Sequence, residues 1–526
     1  MAPRALAGQR GKSRGRRHFQ VQKPTGTLHP RVQAAGPEHF GVVCVDCAKD
    51  RSKWMLANFY GQTFIPPTVV EHTKNDLDAA LTQLRQAVAE HRLADLIIAV
   101  ERTGRYHLPA RRAFAGAGFE VRVVHPFATK RFRQPADPGN KTDDTDLAAI
   151  HRAAVNGFGL TERAPDPIHE QLQILARHRR DLVRKSVVLR CQIQGVVEAL
   201  LPGYANCFED LFVSNIALPI ARHTGSAAAA REAGAAGLAR FLREAGLRTK
   251  APALARIVAW AEKAADGPAH PEPLRRILAA LEDDRLAKAR EIRAVENELA
   301  GLLAQTPYVL LLSIPGLNVV SAAELAGEMG PIAHYANARA ITGRAGLYPS
   351  RYQSDQVDRA SGPLVRCGNR ALRQSILTIA HNLLMINDHF RGLARRWRDA
   401  DKDPRDAHVK VAGRFSRVAY QMLAGRQVYR HPCCRGRDYI IEKLIKFQNQ
   451  HETALPQVLA DLEAAAAQIP RDEYPAEAAP LAAALERPRR GTGHGPVLIG
   501  EILPVILARL GVKPVQSDPS GELDRT

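Results

Sequence analysis

The chain has 526 residues, of which 45% are hydrophobic and 24% are charged, and this balance excludes a largely disordered protein. Lysine and arginine number 74 against 54 acidic residues, so the formal net charge is +20, and arginine supplies 58 of the 74 basic residues. Such an excess favours a polyanionic partner such as nucleic acid, although a GC-rich genome would also enrich arginine.

The cysteine count and the hydropathy pattern exclude two further classes of protein. Seven cysteines in so long a chain are not a disulfide framework. No apolar stretch approaches the ~20 residues that span a bilayer, and the N-terminus has no apolar signal core. We therefore expect a soluble, cytoplasmic protein with no membrane partner.

The first 39 residues are predicted to form a basic, disordered tail. Residues 1–36 carry eight lysines or arginines and no acid, with glycine, proline and serine between them. A segment of this composition cannot bury a core. It could contact nucleic acid without sequence preference, or have no binding role.

Residues 40–160 have the pattern of an α/β domain. Strands are predicted at residues 41–47, 53–62, 63–70, 94–100 and 120–124, and helices at residues 74–91, 108–117 and 143–155. The helices show apolar residues at helical spacing, and the strand 94–100 is a continuous apolar run. The order of three strands, helix, strand, helix, strand and helix is that of a ribonuclease H-like (RuvC-like) fold.

Two long helices are predicted within residues 161–306. Apolar residues recur at coiled-coil spacing over residues 167–201 and again over residues 274–303. The two helices should pair within the chain or between protomers, unless each packs separately on a domain. The Ala/Gly/Arg-rich stretch between them, residues 225–267, is predicted to be a helical insertion.

The remainder of the chain is predicted to be helical. Residues 307–430 should form a compact helical C-terminal domain, and residues 431–526 an extension that is helical in patches, with no role that the sequence indicates. The predicted fold class is therefore α/β plus all-α: a ribonuclease H-like N-terminal domain, coiled-coil helices and a helical C-terminal domain.

Four acidic residues lie where a metal site would form. Asp46 ends the first strand, and Glu101 directly follows the strand 94–100. Asp143 and Asp146 are three residues apart at a helix start, which places them on one face. A carboxylate at the end of a buried strand is costly unless a cation compensates it, and Mg²⁺ accepts carboxylate oxygens. We predict that the four bind Mg²⁺, as two ions that clamp the oxygens of a phosphoryl transfer.

Each acid taken alone has a simpler interpretation. Asp143 and Asp144 could cap and polarise a helix N-terminus. Asp46 could begin a turn, and Glu101 could be a solvated strand end. The four residues together, in this order and on these elements, favour the metal site. Asp144 should point away from the other acids and is interpreted as a first-turn residue.

A series of short motifs occurs in order along the chain. The first half contains GVVCVDCAK at 41–49, ERTGRY at 101–106 and KTDDTD at 141–146, and the second half contains IPGL at 314–317, AGLYPS at 345–350, QS at 353–354 and CGNRALR at 367–373. In these motifs the chain resembles the DEDD transposases of the IS-one-ten group of insertion sequences, over about residues 40–200 and 300–430.

The resemblance implies a bacterial, nucleoid-associated recombinase whose RuvC-like domain holds the metal ions on Asp46, Glu101, Asp143 and Asp146. A serine of the helical transposase domain would attack the DNA phosphate and form a phosphoserine intermediate, and Ser354 is the candidate nucleophile. A structured RNA from the element, often called bridge RNA, would pair with donor and target DNA. Because two duplexes must meet, we expect a homodimer or homotetramer.

The chain departs from the family pattern next to the candidate nucleophile. Ser354 precedes Asp355 where glycine is usual, so a carboxylate replaces a flexible residue. Ser350 and Ser361 are the nearest alternative serines. Any of the three could instead be a loop hydroxyl that caps a turn.

Two groups of basic residues are candidates for nucleic-acid binding. The first winds around the first long helix and the second surrounds the start of a helix after Ser354: Arg177, Arg179, Arg180, Arg184 and Lys185, and then Arg366, Arg370 and Arg373. A solvated helix face is the alternative for either group. If the residues contact duplex phosphates, the affinity should fall by roughly 0.9 log unit per contact for each log unit of salt.

The sequence as a whole predicts an RNA-guided DNA recombinase of an insertion sequence that acts through Mg²⁺ and a serine. A RuvC-like structure-specific nuclease in which water attacks is one alternative. A non-catalytic nucleic-acid-binding protein is another. Cys44 and Cys47 have CxxC spacing but lie on a predicted strand, so we interpret them as core thiols.

Overall fold

The computed structural model describes residues 28–134, 139–161, 166–350, 352–354, 357–359, 362–365, 368–400, 404–428 and 437–470. The chain divides into two compact units, Met1–Ala164 and Pro165–Thr526. The first boundary lies close to the predicted one at residue 160, whereas residues on both sides of the predicted boundary at 306 belong to one unit. The predicted tail up to residue 27 and residues 431–436 and 471–526 of the extension lie outside the described residues.

The first unit contains a six-stranded mixed sheet with the order β3-β2-β1-β4-β5-β6. Its strands are β1 (Phe40–Cys47), β2 (Arg51–Asn58), β3 (Thr63–Glu71), β4 (Asp95–Glu101), β5 (Val121–Val124) and β6 (Leu160–Thr161). Strand β1 pairs antiparallel with β2 and parallel with β4, and β4 pairs parallel with β5. Strands β3 and β6 are antiparallel to β2 and β5, respectively.

Helices cover both faces of this sheet. They are α1 (Leu28–Ala35), α2 (Lys74–Glu90), α3 (Leu108–Gly116), α4 (Pro126–Arg133) and α5 (Asp143–Val155). The predicted order of three strands, helix, strand, helix, strand and helix is confirmed, with α1 and α4 added to it.

The prediction that residues 28–39 belong to a disordered tail is wrong. Helix α1 buries Leu28 and Val32, and a short 3-10 helix, Pro37–His39, leads into β1. Arg31 lies 2.6 Å from Asp95 and also pairs with Glu120. The composition does not reveal that this segment is structured, because only two apolar side chains and one arginine anchor it. The basic residues upstream dominate the local pattern.

The second unit is helical apart from one β-hairpin, within the described residues. Its helices are α6 (Pro167–Leu200), α7 (Ala217–Thr224), α8 (Ala227–Glu244), α9 (Ala251–Lys263), α10 (Glu272–Ala304), α11 (Val319–Met329), α12 (Ala338–Ala345), α13 (Arg370–Ile386), α14 (Asp388–Asp399), α15 (Pro404–Ala424), α16 (Arg437–Gln450) and α17 (Leu455–Gln468), and the hairpin strands are β7 (Tyr352–Ser354) and β8 (Val357–Arg359). Of the helices described, none is long and apolar enough to cross a membrane.

The two long helices pair antiparallel within the chain, which confirms one of the predicted arrangements. Arg179 of α6 lies 2.6 Å from Glu296 near the end of α10. Further along α6, Val197 shares a buried cluster with Leu278 near the start of α10. Residues 225–267 are helical as predicted, and α7, α8 and α9 close that cluster beside the α6–α10 pair.

Helices α16 and α17 complete the main core of the second unit, although we predicted a boundary at residue 430. Ile440, Leu444 and Leu462 are buried in the same cluster as Leu303 and Leu310. The Lys443 ammonium donates hydrogen bonds to the backbone carbonyls of Leu312, Ile314 and Leu317, at and just after the end of the 3-10 helix Pro307–Ser313, at 2.7 to 3.4 Å. The described part of the extension is therefore structural.

Candidate active site

The pleat of the sheet places Asp46 and Glu101 on the same face. Successive side chains of a strand point to opposite faces, and Cys44 and Ala99 pack in the cluster formed with α4 and α5. Asp46 and Glu101 follow these residues by two positions. Val45 pairs with Val100 in the parallel register of β1 and β4, so the two carboxyls are neighbours at the carboxyl end of the sheet.

Helix α5 begins beside this pair and supplies the other two predicted acids. The Thr142 hydroxyl accepts a hydrogen bond from the Thr145 amide at 3.2 Å and forms a capping box with that residue. The threonine, and not an aspartate, therefore caps the helix. Asp146 is 5% exposed, whereas Asp143 is exposed.

Burial and mutual repulsion perturb the carboxyls of this cluster. Burial, followed by the charges of Glu101, Asp146 and Asp143, raises the pKa of Asp46 to about 6. Burial likewise raises the pKa of Glu101; the Thr129 hydroxyl, Lys141 and a hydrogen bond with Asp46 oppose this rise, and the charge of Asp146 adds to it. The cluster therefore carries more negative charge than its surroundings compensate, which is the electrostatic character of a cation site.

Arg133 compensates part of this charge. Its guanidinium, on α4, forms an ion pair with Asp146, and both side chains are largely buried. As the side chains stand, no group of three or more His, Cys, Asp or Glu among the described residues is close enough to hold a metal ion. An oxygen-only donor set of these acids would fit Mg²⁺, and Arg133 pairs with one oxygen, Oδ1, of Asp146.

The acid next to the cluster has a different partner. The Asp144 carboxylate lies 2.6 Å from the ammonium of Lys53. Lys53 is the residue of β2 that pairs with Asp46 across the sheet. This pairing agrees with the interpretation of Asp144 as a first-turn residue outside the site. Sequence reasoning missed Arg133 and Lys141. Lys141 could have been found, because it begins the KTDDTD motif, whereas nothing in the sequence marks Arg133.

The candidate nucleophile ends the first strand of the hairpin in the second unit. Ser354 pairs with Val357, and Tyr352 pairs with Arg359. Asp355 and Ser361, which we considered with Ser354, lie outside the described residues. Ser350, the other alternative, donates a hydrogen bond from its hydroxyl to the Pro363 carbonyl at 2.8 Å, which is a structural role.

The base of the hairpin is anchored to α13. Arg373 donates hydrogen bonds to the Ala345 carbonyl at 2.8 Å and to the Val365 carbonyl at 2.7 Å. It thus joins the chain entering the hairpin to the chain leaving it. Arg373, predicted to bind nucleic acid, has this positioning contact as well. Arg370 is exposed at the first residue of α13, and Arg366 lies outside the described residues.

The arginines predicted to bind nucleic acid on α6 are mostly engaged inside the second unit. Arg177 forms two hydrogen bonds, at 2.8 and 2.9 Å, with Glu328 of α11, whose carboxyl is fully buried. Arg179 pairs with Glu296 and Glu324, and Arg180 with Glu324.

Two further basic residues of α6 remain on the surface. Arg184 makes an exposed pair with Asp181 at 3.0 Å, and Lys185 is exposed. Among the described members of the predicted set, these two residues and Arg370 are exposed without a buried acidic partner, whereas Arg177 is exposed but bonded to the buried Glu328. Cys44 and Cys47 are buried free thiols, as expected of core residues, and burial raises the pKa of Cys47 to about 12.

Comparison with known proteins assigns the family. The family model of IS110-type DEDD transposases matches residues 43–202, and the model described as transposase IS116/IS110/IS902 family matches residues 308–395. The chain is 30% identical over 302 residues to the 42 kDa protein of insertion element IS900 from Mycobacterium paratuberculosis, which covers 56% of this chain and 73% of that protein.

The chain belongs to the IS110 family of transposases. A second relative is the 43.6 kDa protein of insertion element IS110 from Streptomyces coelicolor, 25% identical over 326 residues, with 60% of this chain and 78% of that protein covered. Membership in the IS110 family indicates an enzyme that cuts and rejoins DNA, and DEDD transposases are generally metal-dependent. The four acids lie within the first matched segment and Ser354 within the second.

Proposed function

We propose that this IS110-family transposase cuts and rejoins DNA strands through Mg²⁺ held by Asp46, Glu101, Asp143 and Asp146, with Ser354 as nucleophile. The N-terminal unit is proposed to be RuvC-like, because its strand order and the position of the acids at the carboxyl end of β1 and β4 fit that fold. One observation supports the site most strongly: Asp46 and Glu101 are neighbours facing α5, and the pKa of Asp46 is about 6.

In the proposed reaction the Ser354 hydroxyl attacks a DNA phosphorus atom. The serine oxygen–phosphorus bond forms, the bond from phosphorus to a deoxyribose oxygen breaks, and that oxygen takes up a proton as the serine gives one up. A hydroxyl of the partner strand then attacks the phosphoserine and releases the serine. The number of phosphodiester bonds is unchanged, so rejoining needs no ATP.

The residues of the chain have separate roles in this scheme. Mg²⁺, when bound, would polarise the phosphate and help to activate the hydroxyl. Asp46 and Glu101 would hold it at the sheet edge, and Asp143 and Asp146 from α5. Arg373 positions the hairpin that carries Ser354, through the two carbonyls that it joins.

Guidance by a structured RNA is the part of the proposal that rests on the family resemblance and on the net charge of +20. Arg184, Lys185 and Arg370 are exposed and available for phosphates. The partners in this proposal are donor DNA, target DNA and an RNA transcribed from the flanking noncoding sequence, bound by a homodimer or homotetramer.

A covalent protein–DNA adduct is the decisive product. The protein is incubated with Mg²⁺, donor and target DNA and the flanking RNA, and the adduct is resolved on a denaturing gel. We expect Ser354→Ala and Asp46→Ala to abolish it. Two matched controls should retain it: Ser350→Ala, whose hydroxyl bonds a carbonyl, and Asp144→Asn, whose carboxyl pairs with Lys53.

The other outcomes separate the alternatives. Cleavage that persists in Ser354→Ala would mean that water attacks, as in a structure-specific nuclease. Binding without cleavage under any divalent cation would leave a non-catalytic nucleic-acid-binding protein. An adduct that forms equally well without RNA would remove guidance from the proposal and leave the serine chemistry intact.

A further inference from the structure

A groove of about 380 Å³ lies in the second unit between α14, α15 and the residues that lead into the hairpin. Its apolar wall includes Leu347, Leu393 and the half-buried Trp397. Its rim is formed by three cations of α15: Lys410, Arg414 and Arg417. These are spaced by four and three residues, so they share one face of the helix. None of these residues was among those predicted to bind nucleic acid.

Within the part of the chain that the structure describes, the three cations have no carboxylate partner. No described residue forms an ion pair with Lys410, Arg414 or Arg417, and all three side chains are exposed. The Lys410 ammonium instead lies 5.8 Å from the centre of the Trp397 ring. A cation held by an aromatic face and water turns to a phosphate at smaller cost than one held by a carboxylate.

The groove adjoins the hairpin that carries Ser354. Leu347 lines it, and Tyr348, the next residue, accepts a hydrogen bond from the Val365 amide at 3.1 Å at the hairpin base. A strand that passes the hairpin would therefore meet the groove within a few nucleotides. Because Ser354 is the proposed nucleophile, this inference rests on the proposed function.

We propose that the groove binds an unpaired nucleotide of single-stranded DNA, with the base against Trp397 and the flanking phosphates on Lys410, Arg414 and Arg417. Aromatic walls with basic rims are how proteins bind single strands, since every base has a face to stack. A duplex offers phosphates to the rim, but its bases already stack on one another. Single-stranded DNA is favoured over RNA because the groove adjoins the hairpin of Ser354, the residue proposed to attack a DNA strand.

The glycine between two of the cations permits a test that removes no contact. Gly413 lines the groove, and a Cβ built on it meets no atom within 4 Å. Gly413→Leu therefore fills the groove with a side chain, and helix propensity favours the change. Gly195→Leu on α6 is the matched control, since Gly195 is also helical and also has open space around its Cβ.

Fluorescence anisotropy measures binding of the full chain to a labelled twelve-nucleotide deoxyuridylate and to an abasic strand of equal length, without divalent cation. We expect the base-containing strand to bind about tenfold more tightly, as for one stacked base. Gly413→Leu should remove this difference, and Gly195→Leu should keep it. Binding of a duplex of the same length should be unaffected by either change.

Salt dependence tests the rim separately. The triple substitution Lys410→Gln, Arg414→Gln and Arg417→Gln should reduce the slope of log affinity against log salt for the single strand by about 2, at roughly 0.7 per lost contact. The control triple Arg240→Gln, Arg243→Gln and Arg248→Gln removes three exposed cations from residues 225–267 and should leave the slope unchanged.

Three results would overturn the proposal. The first is equal affinity of the wild-type chain for the base-containing and abasic strands, and the second is equal binding of the base-containing strand by Gly413→Leu and the wild type. The third is tighter binding of the matching oligouridylate than of the deoxyuridylate, with the difference lost in Gly413→Leu. None of these measurements involves cleavage. If the groove fails while the serine adduct forms, the proposed function stands. If the groove binds and no adduct forms, the recombinase mechanism fails alone.

Discussion

At the residue scale, Asp46 shows most clearly the free-energy cost of bringing the acidic residues together. Its carboxyl is half-buried at the end of β1 and faces Glu101 and the start of α5. Folding brings these charges together, and two cations of the chain beside them, Arg133 and Lys141, compensate only part of the charge. Under the proposed function, the Asp46 carboxylate would bind the metal at a cost in stability, so function and stability would be opposed at this position.

The substitution Asp46→Asn should stabilise the protein when divalent cations are removed by a chelator. The raised pKa, about 6 in the folded state, means that the folded chain holds a proton more tightly than the unfolded chain. Wild-type stability therefore falls as the pH rises from about 4 through about 6, and Asn escapes this loss. We expect a gain on the order of 1 kcal/mol at pH 7, or roughly 2–4 °C in Tm.

Calorimetry at pH 7 and pH 4 checks both parts of this prediction. At pH 4 the wild-type carboxyl is protonated, so the two proteins should melt together. A destabilised Asp46→Asn variant at pH 7 would show that this carboxylate has a cationic partner inside the protein. As a further part of the prediction, addition of Mg²⁺ at pH 7 should stabilise the wild type more than the Asp46→Asn variant.

Arg133 is expected to compete with divalent cations for Asp146. Arg133→Gln should therefore raise the affinity for Mn²⁺, measured by titration calorimetry, by about tenfold, which corresponds to about 1.4 kcal/mol. Lys53→Gln is the matched control, because it also removes one positive charge but one that pairs with Asp144. Equal effects of the two substitutions would mean that only the general electrostatic field matters.

At the element scale, one buried carboxylate joins α6 to α11 and to the helix after the hairpin. Glu328 of α11 accepts two hydrogen bonds from Arg177 of α6 and one, at 3.1 Å, from Asn369. Asn369 in turn caps α13 by accepting bonds from the Ala371 and Leu372 amides. One buried carboxylate thus connects the long helix to the start of α13, which carries Arg373.

Removing this carboxylate should destabilise the second unit strongly. Glu328→Gln removes the charge from the fully buried partner of Arg177, which is itself 44% exposed and can turn to water, so the cost is that of impaired hydrogen bonds at the buried position, about 1–3 kcal/mol. The exposed pair of Arg184 with Asp181 is the control, and Arg184→Gln should cost at most about 0.5 kcal/mol. Denaturation by urea measures both, and similar midpoints for the two variants would contradict the structural role of Glu328.

At the scale of the whole molecule, the described part of the C-terminal extension belongs to the core of the second unit. The α16 and α17 helices bury Ile440, Leu444 and Leu462 against the 3-10 helix that contains Leu310. Lys443 supplies three hydrogen bonds to carbonyls of the same region. These residues are core, although they lie beyond the segment that matches the family model, residues 308–395.

The effect of C-terminal truncation on stability should therefore change sharply between residues 470 and 436. A chain ending at residue 436 loses α16 and α17 and exposes their buried partners, so we expect the cooperative unfolding transition of the second unit to disappear. A chain ending at residue 470 keeps both helices and should retain that transition. Circular dichroism during thermal unfolding checks the two forms, and a folded second unit in the shorter chain would refute the assignment of these helices to the core.

The sequence by itself determined five strands of the sheet, the two long helices and the family, but not α1, α4 or the hairpin β7–β8. Period-2 and period-3.6 patterns are local, so the strands, the two long helices and the acids at strand and helix ends could be predicted from their neighbours in the chain. The KTDDTD and AGLYPS motifs are equally local, and they carried the recognition of a DEDD transposase.

Tertiary structure decided which charges face each other. Arg133 meets Asp146 from another helix, and Arg177 meets a glutamate 151 positions away. A count of arginines cannot separate such pairs from arginines that are free to bind phosphate, because both contribute equally to the net charge of +20. Distance in the folded chain separates them, and it leaves the rim of the groove, Lys410, Arg414 and Arg417, among the cations open to a phosphate.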